Sequence, residues 1–540
     1  MVSKKKTPVN CEDDLSAPSS VQSLDNSYEI FGSDCSDFYD VQCDDKRLKS
    51  NKHINATYVS SPNTNHSFWT DMDRLETTPL LSTLRKTTYD NQPNKEPNEL
   101  TSSRIISSYK RIEKAAKPER KKQSSLVTIF SVWNTIMGSS LLTMAWGVER
   151  AGLPVALVLV AVMAALCLYT AYVLLRVNRD HGTATCEVPA LCRVLLGRSS
   201  EVVAHAFSLV VLLGANIVYW ILITNFLYFT VNYFADLRNT HTPVSNLTLL
   251  CPSKDGVNSS LIIPEPVITS TYWDLHSTVP IYVAFIVFPL LNFKNVTFFT
   301  KFNSLGTLSV VYLLIFVLTK GYTWGIHMNN MVIPTQVDKN AAVLSGMLAL
   351  SFYIHNIIIT IMSNNARQEK NGRDLTIAFV LVTLTYTLVG AVFYICFPLA
   401  KSCIEDNILN NFEMHDVMTA VARILLLFQV VTVYPLVAFM LRSEAVLLLP
   451  FTSTRCLTIT INIVIVITCI LVACFCPSIG TIIRYTGAVS GLVHIFTLPS
   501  LLHMRSLHLR GQLTWWKTLF YGLIVVFGAI NLLMQFFIDE

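Results

Sequence analysis

The chain has 540 residues, 52% of them hydrophobic and 14% charged, with a net charge of +5. That is too apolar for a water-soluble protein of this size, and the apolar residues come in runs, which excludes a soluble enzyme or a nucleic-acid-binding module. The small net charge decides little; where the charges fall decides more.

Residues 1–123 are rich in Ser, Asn, Asp, Lys and Thr and have no sustained apolar period. Such a segment cannot bury enough apolar surface to offset its ordering entropy, so a disordered cytosolic tail is expected. Within it, Phe68-Trp69-Thr70-Asp71-Met72-Asp73-Arg74-Leu75 concentrates the side chains that anchor protein interfaces. It reads as a stretch that orders on a partner; scattered hydrophobes in a linker are the blander alternative. Glu76, followed by Leu80 and Leu81, has the form of an acidic dileucine sorting signal, an address to endosomes or lysosomes. A basic cluster from Lys110 to Lys122 then precedes the first apolar run, as membrane docking requires.

Residues 124–540 hold eleven apolar segments, each near the ~20 residues that a spanning helix needs. They run Leu126–Val148, Leu153–Leu175, Val202–Phe234, Val279–Phe293, Phe302–Trp324, Ala341–Ser363, Leu375–Leu399, Val417–Leu441, Leu457–Cys476, Ile479–Met504 and Leu513–Ile538. The fourth is short and carries Pro280 and Pro289. No signal peptide is visible, so the first segment is expected to act as an internal anchor. Arg176, Arg179, Arg193, Arg198, Lys294, Lys301, Arg367, Lys370, Arg373, Arg442, Arg455, Arg505 and Arg510 fall in alternate loops. The positive-inside rule then puts the N-terminus in the cytosol and Glu540 on the lumenal side.

That orientation makes residues 235–278 a lumenal loop. It carries glycosylation sequons at Asn246 and Asn258. It also holds Cys251, which with Cys403 in the loop after the seventh segment faces the oxidising side, so a Cys251–Cys403 disulfide is expected. Two free thiols, or pairing with Cys474 or Cys476, are the alternatives.

The first segment contains Trp133-Asn134-Thr135-Ile136-Met137-Gly138-Ser139-Ser140. Polar and flexible residues in mid-membrane are costly and usually mark a transport pathway. A glycine followed by two serines suggests an unwound turn, whose freed N–H and C=O groups can hold a carboxylate and a sodium ion. A close helix crossing is the competing explanation. In the eighth segment Pro435 lacks an N–H, which frees the carbonyl of Val431 next to the Thr432 hydroxyl. Those two oxygens, with the Asn134 side chain, form a candidate sodium site; a proline kink with Thr432 bonding backward is the alternative. His355 and Asn356, midway in the sixth segment, are candidate gate residues, against a structural histidine. They are adjacent on one segment with no second acid–base pair, and there is no phosphate-binding glycine loop or zinc-spaced cluster, so no enzyme is expected.

Several stretches have a wider resemblance. They are Ser125-Leu126-Val127-Thr128-Ile129-Phe130, Leu290-Leu291-Asn292-Phe293-Lys294, Phe352-Tyr353-Ile354-His355-Asn356 and Leu381-Val382-Thr383-Leu384-Thr385-Tyr386. To these add Leu426-Leu427-Phe428-Gln429, Thr432-Val433-Tyr434-Pro435-Leu436 and Ile482-Ile483-Arg484-Tyr485. Together they resemble the sodium-coupled neutral amino acid transporter family, in particular its lysosomal arginine-sensing branch. The resemblance implies an all-α polytopic membrane protein with a LeuT-like fold: eleven transmembrane helices in two inverted five-helix repeats plus a C-terminal helix, with the first and sixth broken. It implies sodium-coupled amino acid transport, arginine sensing, and signalling to the TOR kinase complex through Rag GTPases and Ragulator bound by the tail. It places arginine on Thr135, Ile136, Met137, Gly138, Ser139 and Ser140, where the family pattern has Met at position 136 and Thr at 139. In the tail, Glu76 interrupts a run that otherwise resembles the family's Arg-Leu-Thr-Thr-Pro. A plasma-membrane transporter of the same family without a signalling role is the alternative function. If the loop orientation is right, wild-type protein will shift on a gel after endoglycosidase treatment, and the Asn246→Gln, Asn258→Gln double variant will not.

Overall fold

The computed structural model describes residues 122–181, 187–238, 249–251, 272–292, 305–327, 340–449 and 455–538. Glu76, Leu80, Leu81, Asn246, Asn258 and the tail segment proposed for partner binding lie outside them. The described chain is helical, with no strand beyond isolated bridges. Its principal helices are α1 (Ser125–Ile136), α2 (Ser140–Ala151), α3 (Leu153–His181), α4 (Val188–Leu196), α5 (Arg198–Arg238), α6 (Val279–Leu291) and α7 (Leu305–Trp324). There follow α8 (Ala341–Ser351), α9 (Ile358–Ser363), α10 (Asn371–Cys396), α11 (Val417–Leu448), α12 (Arg455–Phe475), α13 (Ile479–Ser490), α14 (Leu498–Leu509) and α15 (Trp515–Met534).

Among the described residues eight helices are long and apolar enough to cross a membrane, and the pair α1–α2, bent by 62° at its break, makes a ninth. Each expected segment has a helical counterpart, but α6 and α8 are too short to span alone. In α6 the cause is local: Pro280 sits in its first turn and Pro289 inside it, and the helix closes at Asn292. In the sixth segment α8 stops at Ser351 and the chain runs non-helically to Ile357 before α9. The two broken segments lie five apart, as inverted repeats require.

Burial sorts the helices into centre and rim. The apolar window of the α13–α14 span is 72% buried, and those of α12 and α15 are 28% buried, so the latter two sit on the outside. Their exposed faces are apolar, with Ile463, Ile467, Leu523 and Ile530 outward, as a lipid-facing surface demands. At the centre, helices pack backbone to backbone. A Cβ on Gly487 of α13 would collide with the carbonyl oxygen of Gly346 on α8, and one on Gly214 of α5 would collide with Thr486. Between α13 and α14, residues Gly491–Thr497 form a π-helical segment. There the Thr497 hydroxyl donates to the Leu492 carbonyl at 2.6 Å.

One end of the bundle is tied by the Cys251–Cys403 disulfide, the pairing expected from sequence, while Cys474 and Cys476 are free. The tie is reinforced by Leu250 N–H donating to Asn411 O at 2.8 Å and by Asn411 Nδ2 donating to Cys403 O at 2.7 Å. In the same loop Asp406 accepts from the Gly480 N–H at 3.0 Å, capping α13. Burial raises the Asp406 carboxyl above its usual range, partly offset by the Gly480 and Ile479 amides and the Ser478 hydroxyl. At the opposite end, Gln123 pairs with the loop after α9, through Gln123 N–H to Asn364 O at 2.8 Å and Ala366 N–H to Gln123 O at 2.7 Å. The tail therefore leaves the bundle on a fixed register beside the second half of the broken sixth segment. Gly487→Ala is expected to lower the melting temperature, with a loss of ~2 kcal/mol or more from overpacking. Gly522→Ala, where nothing lies within 4 Å of the added carbon, should be neutral or stabilising in the same melt.

Candidate functional site

The break in the first segment falls where the Gly-Ser-Ser run predicts it. Helix α1 ends at Ile136, Met137 turns to an extended conformation (ψ 98°), and α2 begins at Ser140. Only shorter-range bonds cross the gap, from Leu141 N–H to Gly138 O at 3.2 Å and from Leu142 N–H to Ser139 O at 3.1 Å. Ile136, Met137 and Ser140 are buried, and Thr135, Gly138 and Ser139 are half-buried. The Thr135 hydroxyl is sealed from solvent without a hydrogen-bond partner. A sealed donor beside an unwound turn is what a polar ligand would satisfy.

Two tyrosines frame this turn, and sequence reasoning had given neither a role. Tyr386 of α10 is buried, and its hydroxyl lies 3.1 Å from Ile136 O and 3.0 Å from Ser351 O. One phenol thus serves the carbonyl at each break, since α1 ends at Ile136 and α8 at Ser351. Its neighbour Thr385 accepts from Trp133 Nε1 at 3.3 Å, so α10 holds the end of α1 at two consecutive residues. Tyr219 of α5 approaches from the other side: its hydroxyl lies 3.8 Å from where a Cβ on Gly138 would stand. Any larger side chain at 138 must contend with it. Tyr386 lies within one of the motif stretches, so its presence was legible but not its two acceptors. Tyr219 carried no sequence signal.

The candidate cation residues are only partly brought together. Asn134 Oδ1 accepts from the Thr307 hydroxyl of α7 at 3.1 Å. Thr432 bonds backward, to Gln429 O at 2.8 Å and Phe428 O at 3.1 Å, the kink alternative rather than a hydroxyl turned to an ion. Helix α11 runs on through Pro435, so the Val431 carbonyl still lacks a helical donor. A residue not singled out joins them. The Gln429 side chain packs on Gly306, next to Thr307, and its Oε1 is buried without a partner. Asn134 and Thr307 therefore bring neutral oxygens together between α1 and α7, the donor type that a hard monovalent cation accepts, with Gln429 of α11 packed on the neighbouring Gly306.

The gate candidates separate. His355 is buried and its Nε2 lies 2.9 Å from the Thr170 hydroxyl of α3, as a structural histidine would be; Asn356 is half-buried. The ring of Tyr353 packs edge-on against His494 of the π-helical segment, at 5.7 Å between centroids. Glu149 and Arg150 at the end of α2 pair at 3.5 Å, with Arg150 over the Trp146 ring.

The profile of the family described as "Transmembrane amino acid transporter protein" matches residues 121–538. The chain belongs to that family. It is 40% identical to "Neutral amino acid transporter 9" of Rattus norvegicus, over 77% of this chain and 80% of the relative. To "Sodium-coupled neutral amino acid transporter 9 homolog" of Caenorhabditis elegans it is 39% identical, over 77% and 74%. To "Neutral amino acid transporter 9" of Danio rerio it is 39% identical, over 77% and 81%. Amino acid transport is the activity of this family, and the matched region takes in the whole described bundle. Tyr386→Phe should leave the carbonyls of Ile136 and Ser351 without their shared donor. The expected cost is about 1–3 kcal/mol in a thermal melt, together with slower amino acid uptake by reconstituted protein.

Proposed function

We propose that the chain is a lysosomal sodium-coupled amino acid transporter that also senses arginine, and signals amino acid sufficiency to the TOR kinase complex. The observation that carries this reading is the unwound turn at Met137–Ser139, facing the Tyr219 hydroxyl. Its backbone N–H and C=O groups suit the α-carboxylate and α-ammonium common to all amino acids. The sealed Thr135 hydroxyl adds a donor at the same place. Arginine as the sensed species rests on the resemblance of Thr135–Ser140 to the arginine-contacting octet.

Sodium coupling is supported by the name of the Caenorhabditis elegans relative and by the oxygens of Asn134, Thr307 and Gln429. When bound, a cation there supplies the coupling to its own gradient. The residues of the chain hold it against α1, one turn before the break. Rotation of Thr432 off its backward bonds, toward the free Val431 carbonyl, would add two more oxygens from α11. An ion that draws α1 and α11 together would also fix the geometry of the substrate turn, since Asn134 and Gly138 lie four residues apart on one face. Signalling would pass through the tail, with Rag GTPases and Ragulator as partners. The pairing of Gln123 with the loop after α9 supports this: the tail is joined to the sixth segment, whose break shares Tyr386 with the substrate turn.

Radiolabelled arginine binding to purified protein, in sodium and in choline, tests the reading. Saturable binding is expected for the wild type and its loss in Gly138→Trp, whose ring would fill the space in front of Tyr219. Weaker binding in choline is expected from the cation site. Absence of arginine binding, with uptake of other amino acids intact, would reduce the chain to a general neutral amino acid carrier.

A further inference from the structure

Arg423 sits on α11 six residues in from its start at Val417, and it is 1% exposed. Its Nη2 donates to Leu409 O at 2.8 Å and to Phe412 O at 3.2 Å, and its guanidinium stacks 4.2 Å over the Phe229 ring of α5. The other two nitrogens, Nε and Nη1, are sealed from solvent with no hydrogen-bond partner. Three N–H donors of a permanent cation are therefore closed inside the protein with no acceptor among the described residues.

Among the described residues no carboxylate pairs with it. Asp416, seven residues back along the chain, has one oxygen on Lys320 Nζ at 2.6 Å. Its other oxygen is taken by the Thr419 amide at 2.9 Å and the Thr419 hydroxyl. Asp236 pairs with His415 at 2.7 Å. A buried, unpaired charge is among the most costly features a protein can keep, and counter-charge or dense hydrogen bonding is the usual remedy. Carbonyls and an aromatic face satisfy part of Arg423, and its Nε and Nη1 meet no acceptor among the described residues.

We propose that Arg423 holds a chloride ion, in a site between α5, α11 and the disulfide-tied loop. The chemistry selects the occupant. A single unpaired positive charge calls for a single negative one. The Phe229 ring beneath the guanidinium is apolar and the donors have no exposed surface, so a dianion such as sulfate or phosphate is too highly charged. The site is separate from the transport machinery: Arg423 and Thr432 are nine residues apart on one helix, about 13 Å along its axis. Its place beside Leu409 and Phe412 makes it a lock on the loop that carries Cys403 and caps α13 through Asp406. Chloride would therefore stabilise the packing of α5 against α11.

The full-length protein, purified without added amino acid, is melted in sodium gluconate as chloride replaces gluconate at constant sodium and ionic strength. A saturable rise in Tm of ~2 °C or more is expected for the wild type, and none in Arg423→Gln. A wild-type Tm indifferent to chloride, or an equal rise in Arg423→Gln, overturns the proposal. Should Arg423→Gln fail to fold, equilibrium dialysis of the wild type with radiolabelled chloride decides: one ion bound per chain supports the site and none overturns it.

Discussion

Inside a bilayer every backbone N–H and C=O must find a partner within the protein. A transporter of this kind breaks two helices at the depth where that rule is strictest, and the Tyr386 hydroxyl is how this chain tolerates it. It meets the last carbonyl of α1 and the last carbonyl of α8 from a third helix that is itself unbroken. The two interruptions are thereby held by one rigid element, with Thr385 fixing Trp133 one position away. Loss of either contact would leave a carbonyl in a medium that offers no water to replace it.

Around that pair the bundle divides its duties. Close crossings at Gly487–Gly346 and Gly214–Thr486 pack α13 and α5 tightly into the centre. Helices α12 and α15 turn apolar faces outward. The disulfide end is stiffened by the Cys251–Cys403 bond, by Asp406 on the α13 amide, and by Arg423 on the carbonyls of the same loop. The opposite end is held by a backbone pairing at Gln123, by Asn365 on Asp374 at 2.9 Å and by His205 on Glu444 at 2.6 Å.

The polar groups inside the bundle sort by what they touch. In sequence Thr432 is a candidate ion ligand beside the carbonyl freed by Pro435, and His355 a candidate gate set against a structural histidine. In the structure Thr432 returns its hydroxyl to its own helix and His355 bonds Thr170, and both are satisfied locally through those atoms. Thr135, Gln429 and Arg423 keep atoms that nothing among the described residues satisfies. Unsatisfied buried donors and acceptors are the better guide to a ligand, and no sequence pattern reports them.

The sequence by itself determined the membrane class, the order and type of the helical segments, the location of the first break and the Cys251–Cys403 pairing. Each depends on composition, on local backbone chemistry or on which loops share a side, and those are properties of short stretches read in order. Residues 133–140 carry their own reason to unwind, and Pro280 and Pro289 their own reason to shorten α6. The tertiary structure alone decided which side chains face the break. Tyr219 and Tyr386 come from helices about 80 and 250 positions further along the chain, and a tyrosine in an apolar run looks the same whether its hydroxyl meets lipid headgroup, carbonyl or ligand. Thr307 meets Asn134, and Gln429 packs on Gly306, only because of how α7 is set against α1 and α11. Arg423 is unpaired only because Asp416 turns to Lys320. Such choices depend on helix rotation and crossing, which the packing of the whole bundle sets.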